Sequence, residues 1–359
     1  MIEVLCGLIG ILLVGTVLWD VFETVVLPRP SPTRVRPARN LVRLTWPIWR
    51  SRALGRDTSL KRERVLGTYA PILVLMLLAT WITLLALGFG GILYALRAGI
   101  RPVPDLATAI YFAGESVLTL GYGDIVAVDS AARVASLLAA ALGLGVLALG
   151  ITYLFSLYDS FQKREVLVVR LEARAGAPPS GVALLETYGS PGRRDALGDF
   201  FLAWEAWAAE VLDTHVAYPI LAYFRSSHDN VSWVSSVGAV LDASALVLTT
   251  VSDGPSGEAQ MVQRLGQHFV EDLANFFGWP ADRSPAVERH EFDAARQRLL
   301  AAGYRCRDAD EAWLQFQTLR SAYAARLNAM ASFWVTPPAM WIGDRSARHA
   351  VPDLERAQR

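Results

Sequence analysis

Three apolar stretches dominate the first 160 residues, each long enough to be a helix solvated by lipid. The first carries no charge from Val4 to Trp19, inside a helix predicted over 2–27. The second, Tyr69 to Leu96, is 28 uncharged residues. As a helix it measures roughly 42 Å, enough to cross a bilayer with some tilt. The third, Val134 to Tyr158, adds 25 more, and Lys163 and Arg164 are expected to close it on the cytoplasmic side. Between the second and third spans the pattern changes. Arg97 to Pro104 reads as an exposed turn, Asp105 as an N-cap, and 105–118 as a helix far too short to span. From about residue 163 apolar positions take helical spacing among returning charges, 20 basic against 24 acidic. Helices are predicted at 180–188, 195–214, 230–251, 257–277, 285–302 and 308–333, parted by turns such as Ser190-Pro191-Gly192 and Asp253-Gly254-Pro255. Ser236–Val251 is very apolar but short and holds Asp242, which suits a core helix better than a span. Residues 336–359 read as a loose tail.

Composition agrees with membrane spans joined to a soluble part: 53% of the 359 residues are hydrophobic. Net charge is zero, yet Arg29 to Arg64 holds eleven Lys/Arg against Asp57 and Glu63. That excess places the segment in the cytoplasm, so three spans put the N-terminus outside and the C-terminus inside. Trp46, Pro47 and Trp49 among the arginines suit a helix lying on anionic lipid. Arg34, Arg36, Arg39 and Arg43 are irregularly spaced and interrupted by Pro37, so a voltage sensor is not expected. The start carries Glu3 and no basic flank, which argues against a cleaved signal peptide. Asp20 and Glu23 share one helical face and are expected at headgroup level, paired with linker arginines; the alternative is a buried charge that couples this helix to gating. Two cysteines, Cys6 and Cys306, support no disulfide framework. Arginine far outnumbers lysine, pointing to a GC-rich prokaryotic genome.

The chemistry concentrates in Thr119-Leu120-Gly121-Tyr122-Gly123-Asp124, directly after the short helix. Irregular backbone is tolerated at membrane depth only where protein buries it or it lines an aqueous path. Glycines at alternate positions permit alternating backbone handedness, which can turn successive carbonyls toward one axis. A helix ending at this point would direct its negative dipole end at the same place.

These residues resemble the selectivity filter of the prokaryotic potassium channel pore-domain family, with Leu120 where the usual motif has valine. The resemblance implies a fold class: an all-α membrane protein with a tetrameric pore fold, here joined to an all-α cytoplasmic helical domain. It implies K+ coordinated by the carbonyls of Thr119, Leu120, Gly121 and Tyr122, with Gly123 completing the loop and the Thr119 hydroxyl closing the innermost site. Glu115 and Asp124 stand where many members have a carboxyl pair behind the filter. Tyr111 and Phe112 replace a tryptophan pair, and Phe112 cannot donate a hydrogen bond to Tyr122. Leu118 stands where threonine or serine is common. One loop per chain demands a homotetramer. The membrane implied is the bacterial inner membrane.

Gly143, 22 positions after Gly121, matches the hinge glycine of the resembled inner helices, with Gly145 and Gly150 also present. Counting by four gives Leu147, Ile151 and Phe155 on one face, a candidate cavity lining and apolar gate. The inner helix is expected to pass through Asp159 into the cytoplasmic domain without a long flexible linker before Val166. No dinucleotide fingerprint follows a strand, so the nucleotide-type regulatory domain of many such channels is not expected. His215, Arg225, His228, Asp229, Ser232, Trp233 and Asp242 form the densest polar stretch, read chiefly as helix-to-helix hydrogen bonding and secondarily as a ligand or metal site. Trp204, Trp207, Trp313 and Phe316 read as core. No nucleophile–base arrangement, organic cofactor or nucleic-acid signature is present, so no enzyme is expected, and the regulatory ligand is open. Two rivals remain: a membrane-anchored sensor whose cytoplasmic part does the work, and a transporter of four pore-like repeats, which the single repeat disfavours.

Overall fold

The structure is a computed structural model and describes residues 1–27, 37–279 and 287–344. Arg29, Arg34 and Arg36 of the basic segment lie outside the described residues, as does the tail beyond 344. Contacts divide the chain into two units, Met1–Trp49 with Thr68–Asp159, and Arg50–Gly67 with Ser160–Arg359.

In the first unit, α1 (Ile2–Val21) is followed by one π-helical stretch, Phe22–Val26. Its buried residues, Gly7, Gly10, Val14, Val17, Asp20 and Val21, repeat every three or four positions and form the face packed on α4 (Tyr69–Ala95). Small residues bring the backbones together: a Cβ on Gly10 would lie 2.3 Å from the Gly88 carbonyl oxygen. At the N-terminal end, Glu3 pairs with Arg97 at 2.8 Å. Further along, Asp20 is a buried side chain. It is 1% exposed, and Oδ2 accepts from the Trp81 indole at 2.8 Å and from the Ala38 amide at 3.1 Å. Ala38 is in the first turn of α2 (Pro37–Leu54), so a carboxylate from α1 satisfies a free N–H group at another helix's N-terminus. Glu23 is buried as well. The far part of α2 packs on the start of α4 through Trp46 and Tyr69, ring centroids 5.0 Å apart, with Thr45 and Tyr69 hydroxyls 3.1 Å apart.

The pore segment follows. Asp105 caps α5 (Leu106–Val117), accepting from Thr108 N at 2.8 Å. At 12 residues, about 18 Å, α5 cannot cross a bilayer. Two short strands flank it, β1 (Ile100–Arg101) and β2 (Val126–Ala127), pairing antiparallel with Ile100 opposite Ala127. Asp129 then caps α6 (Ser130–Ala175), accepting from Ala132 N at 2.8 Å. The third apolar stretch therefore belongs to a helix of 46 residues that continues past Lys163 and Arg164. Among the described residues, three helical runs are long and apolar enough to cross a membrane, within Ile2–Val26, Ser59–Ala95 and Ser130–Ala175.

Among its described residues the second unit is helical apart from isolated bridges: α3 (Ser59–Gly67), the end of α6, α7 (Gly181–Tyr188), α8 (Pro191–Arg194), α9 (Ala196–Ala217), α10 (Trp233–Thr249), α11 (Ser256–Phe277), α12 (Arg289–Ala301), α13 (Ala309–Ser321) and α14 (Ala324–Phe333). At its centre is α10, capped by a Ser232–Ser235 box and buried at every position except Leu248. The single helix expected over 308–333 is two. The break falls at Tyr323, which leaves helical backbone (φ −123°) and sets its hydroxyl 2.6 Å from Asp242. Arg320 donates to the same carboxylate oxygen at 2.9 Å. Residues 336–344 are not a loose tail either. Trp341 and Ile342 are buried, the Trp341 carbonyl accepts from Arg320 at 2.6 Å, and Gly343 N donates to Asn328.

Candidate ion pathway

The loop after α5 has alternating backbone handedness. Thr119, Gly121 and Gly123 take φ of +57°, +64° and +78°, with Leu120 and Tyr122 outside the left-handed region. Glycine adopts such angles freely, whereas a β-branched threonine does so at a cost of about 1–3 kcal/mol. Two backbone hydrogen bonds from the last turn of α5 hold the start of the loop, Thr119 N to Ser116 O at 3.0 Å and Leu120 N to Glu115 O at 2.8 Å. The sequence pointed to the two glycines. It gave no signal that Thr119 joins them, because threonine's intrinsic preference is the opposite.

Thr119 to Asp124 are exposed in the single chain, while Phe112, Glu115 and Val117 behind them are buried. Tyr111 is on the exposed side of α5 and Phe112 on the buried side. The side chains of Tyr111, Glu115 and Asp124 come within interaction distance of one another, so the carboxyl pair inferred from the motif is together in space.

Gly143 sits against this assembly. A Cβ built on it would lie 2.1 Å from the Val117 carbonyl oxygen and 2.8 Å from the Val117 Cα. It is thus a point of close backbone contact between α6 and the end of α5, and α6 passes through it as continuous helix. Gly145 has nothing within 4 Å, and Gly150 faces Leu78. Leu147, Ile151 and Phe155 are 48%, 50% and 72% exposed, a row of apolar side chains along one face of α6.

The polar stretch around His215 resolves into separate structural contacts. His215 is buried beside Arg164, Arg225 meets Glu63, His228 meets Glu172 at 2.6 Å, and Asp242 belongs to the Arg320–Tyr323 network. Among the described residues no group of three or more His, Cys, Asp and Glu side chains could hold a metal ion. Trp204, Trp207 and Phe316 are buried, and Trp313 is half-buried. Arg164 is 1% exposed, inside the helical unit, and α6 continues past it to Ala175.

A helix too short to span, a loop of alternating handedness and a long apolar helix in backbone contact with the end of the short one are the parts of a pore module. Residues 81–159 match the family described as "Ion channel". The match covers α4 from Trp81, all of α5 and the loop, and α6 to Asp159. It supports an ion-channel pore within an all-α membrane protein. No curated protein and no solved structure matches the chain.

Proposed function

We propose that the chain is one subunit of a homotetrameric potassium channel, with Thr119–Gly123 as its selectivity filter. The observation that carries this reading is the positive φ at Thr119, Gly121 and Gly123, at the end of a helix too short to span, within the ion-channel segment. Alternation of handedness is what lets consecutive carbonyls face one axis and replace a cation's hydration shell. In this reading Thr119, Leu120, Gly121 and Tyr122 supply carbonyls to K+, and the Glu115–Asp124 pair braces the loop from behind. Four chains are required because each brings one loop. The exposed face through Leu147, Ile151 and Phe155 lines the inner cavity, with Ile151 and Phe155 as an apolar constriction that closes by dewetting.

The basic residues of α2 and α3, among them Arg39, Arg43, Arg52 and Arg62, support a cytoplasmic location for that side of the membrane, on anionic lipid. The membrane in question is the bacterial inner membrane. The helical unit then serves assembly or regulation, and no catalytic role is assigned to it. The test is flux from liposomes holding purified full-length protein. Potassium should pass and sodium should be largely refused. Equal passage of both ions, or of neither, would overturn the reading.

A further inference from the structure

One short segment of the helical unit, residues 221–226, grips two stretches of chain that lead into different membrane helices. The first is the C-terminal part of α6. There Arg164 donates to the carbonyl oxygens of Leu221 at 3.0 Å and Phe224 at 2.9 Å. It also donates twice to Oε1 of its neighbour Glu165, at 3.1 and 3.0 Å, and Ser226 Oγ donates to that same oxygen at 3.3 Å. Behind it, His215 Nδ1 lies 2.8 Å from the Val211 carbonyl, which assigns the proton to Nδ1 and leaves Nε2 to accept from Arg164 at 3.3 Å. The Trp207 indole donates to the Arg164 carbonyl at 2.9 Å. A buried guanidinium so surrounded fixes α6 to the segment, since moving it would strand a charge and several acceptors away from water.

The second stretch is α3. Arg225, between Phe224 and Ser226, forms an ion pair at 3.7 Å with Glu63, and its Nη2 donates to the carbonyls of Trp334 and Val335. Three successive residues thus bind α6, α3 and α6 again. Only Thr68 separates α3 from α4, and α6 is itself the inner helix. The two attachments differ in strength. That of α6 is a set of short charge-assisted hydrogen bonds, whereas that of α3 through Glu63 is one longer ion pair.

We propose that residues 221–226 are a clasp that holds α3 and the end of α6 as one mechanical piece. A rearrangement of the helical unit would then act on α4 and α6 together. This consequence for the pore rests on the channel reading, but the mechanical coupling does not.

Hydrogen exchange on the full-length protein separates the two. Glu63→Gln should speed amide exchange in α3 by about threefold, the scale of a lost partly buried ion pair, and should speed it also at 221–226 and at 160–167 of α6. Arg225→Gln, which also loses the bonds to the Trp334 and Val335 carbonyls, should speed exchange at the same sites by at least as much, and the double variant should not exceed Arg225→Gln. Faster exchange confined to α3, or effects that multiply in the double variant, would overturn the clasp. Potassium flux from liposomes of the same proteins reads the consequence. Each single variant should shift flux in the same direction, and wild-type flux in both would overturn action through the clasp. An inert wild type would count against the channel reading alone, with exchange still deciding the clasp.

Discussion

The Cα of Gly143 lies so close to Val117 that a Cβ added there would sit 2.1 Å from the Val117 carbonyl oxygen. Val117 is the last residue of α5, two positions before Thr119, so the inner helix supports the base of the loop at a site where only hydrogen fits. Gly143→Ala should push the two helices apart, losing tetramer stability and potassium flux together. Gly145→Ala, with open space around it, should change neither beyond about 0.5 kcal/mol of stability. Thermal unfolding and flux of both variants check this. A tolerated Gly143→Ala would make that residue a hinge rather than a contact.

The constriction assigned to Ile151 and Phe155 predicts a gain rather than a loss. Phe155→Ala widens an apolar ring and favours water in it, so basal flux should rise once corrected for tetramer content. Flux equal to wild type would move the gate to the proposed filter, where Phe112 already departs from the tryptophan pair of the channels it resembles.

Asp20 and Trp81, 61 residues apart in sequence, are joined by a buried hydrogen bond. Trp81→Phe removes the donor and leaves the carboxylate with one fewer partner, a cost of about 1–3 kcal/mol. With Asp20→Asn in a double-mutant cycle, the coupling should exceed about 0.5 kcal/mol. Additive effects on the thermal midpoint would show that the contact carries no energy.

Distance along the chain separates what the sequence revealed from what it hid. The spans, the Asp105 cap and the short helix before the loop are local patterns of charge and periodicity, and they are read directly. The two glycines of the loop were legible because no other residue takes their backbone angles without cost. Thr119 was not, because its strain is imposed from outside by Ser116 and Glu115. Arg164 lies shortly after the third apolar stretch and in sequence simply closes it; its partners Glu165, His215, Leu221 and Phe224 are brought to it by the fold. Residues 336–344 look like tail because few are apolar in periodic order, yet Trp341 and Ile342 fill the unit's core.

His215 makes stability depend on pH. Burial first, and the neighbouring Arg164 charge second, hold its imidazole well below the ordinary histidine range, against a smaller upward effect of the Val211 carbonyl. The unfolded chain therefore takes up this proton first, below about pH 6.5. Stability from the neutral ring is fully present above that pH and falls below it, by up to about 1.4 kcal/mol per pH unit. The thermal midpoint of the full chain should drop more steeply between about pH 6.5 and 5.5 for wild type than for His215→Gln. Parallel curves would mean that the histidine is protonated in place.

The central claim is that the backbone of Thr119–Gly123 carries potassium. Gly121 takes φ +64° with no atom within 4 Å of where a Cβ would stand, so Gly121→Ala alters backbone preference without creating a clash inside the chain. The deciding measurement is potassium flux from liposomes holding equal amounts of tetrameric wild type and Gly121→Ala. Selective flux in the wild type and none in the variant is the predicted result; undiminished potassium flux through Gly121→Ala would contradict it.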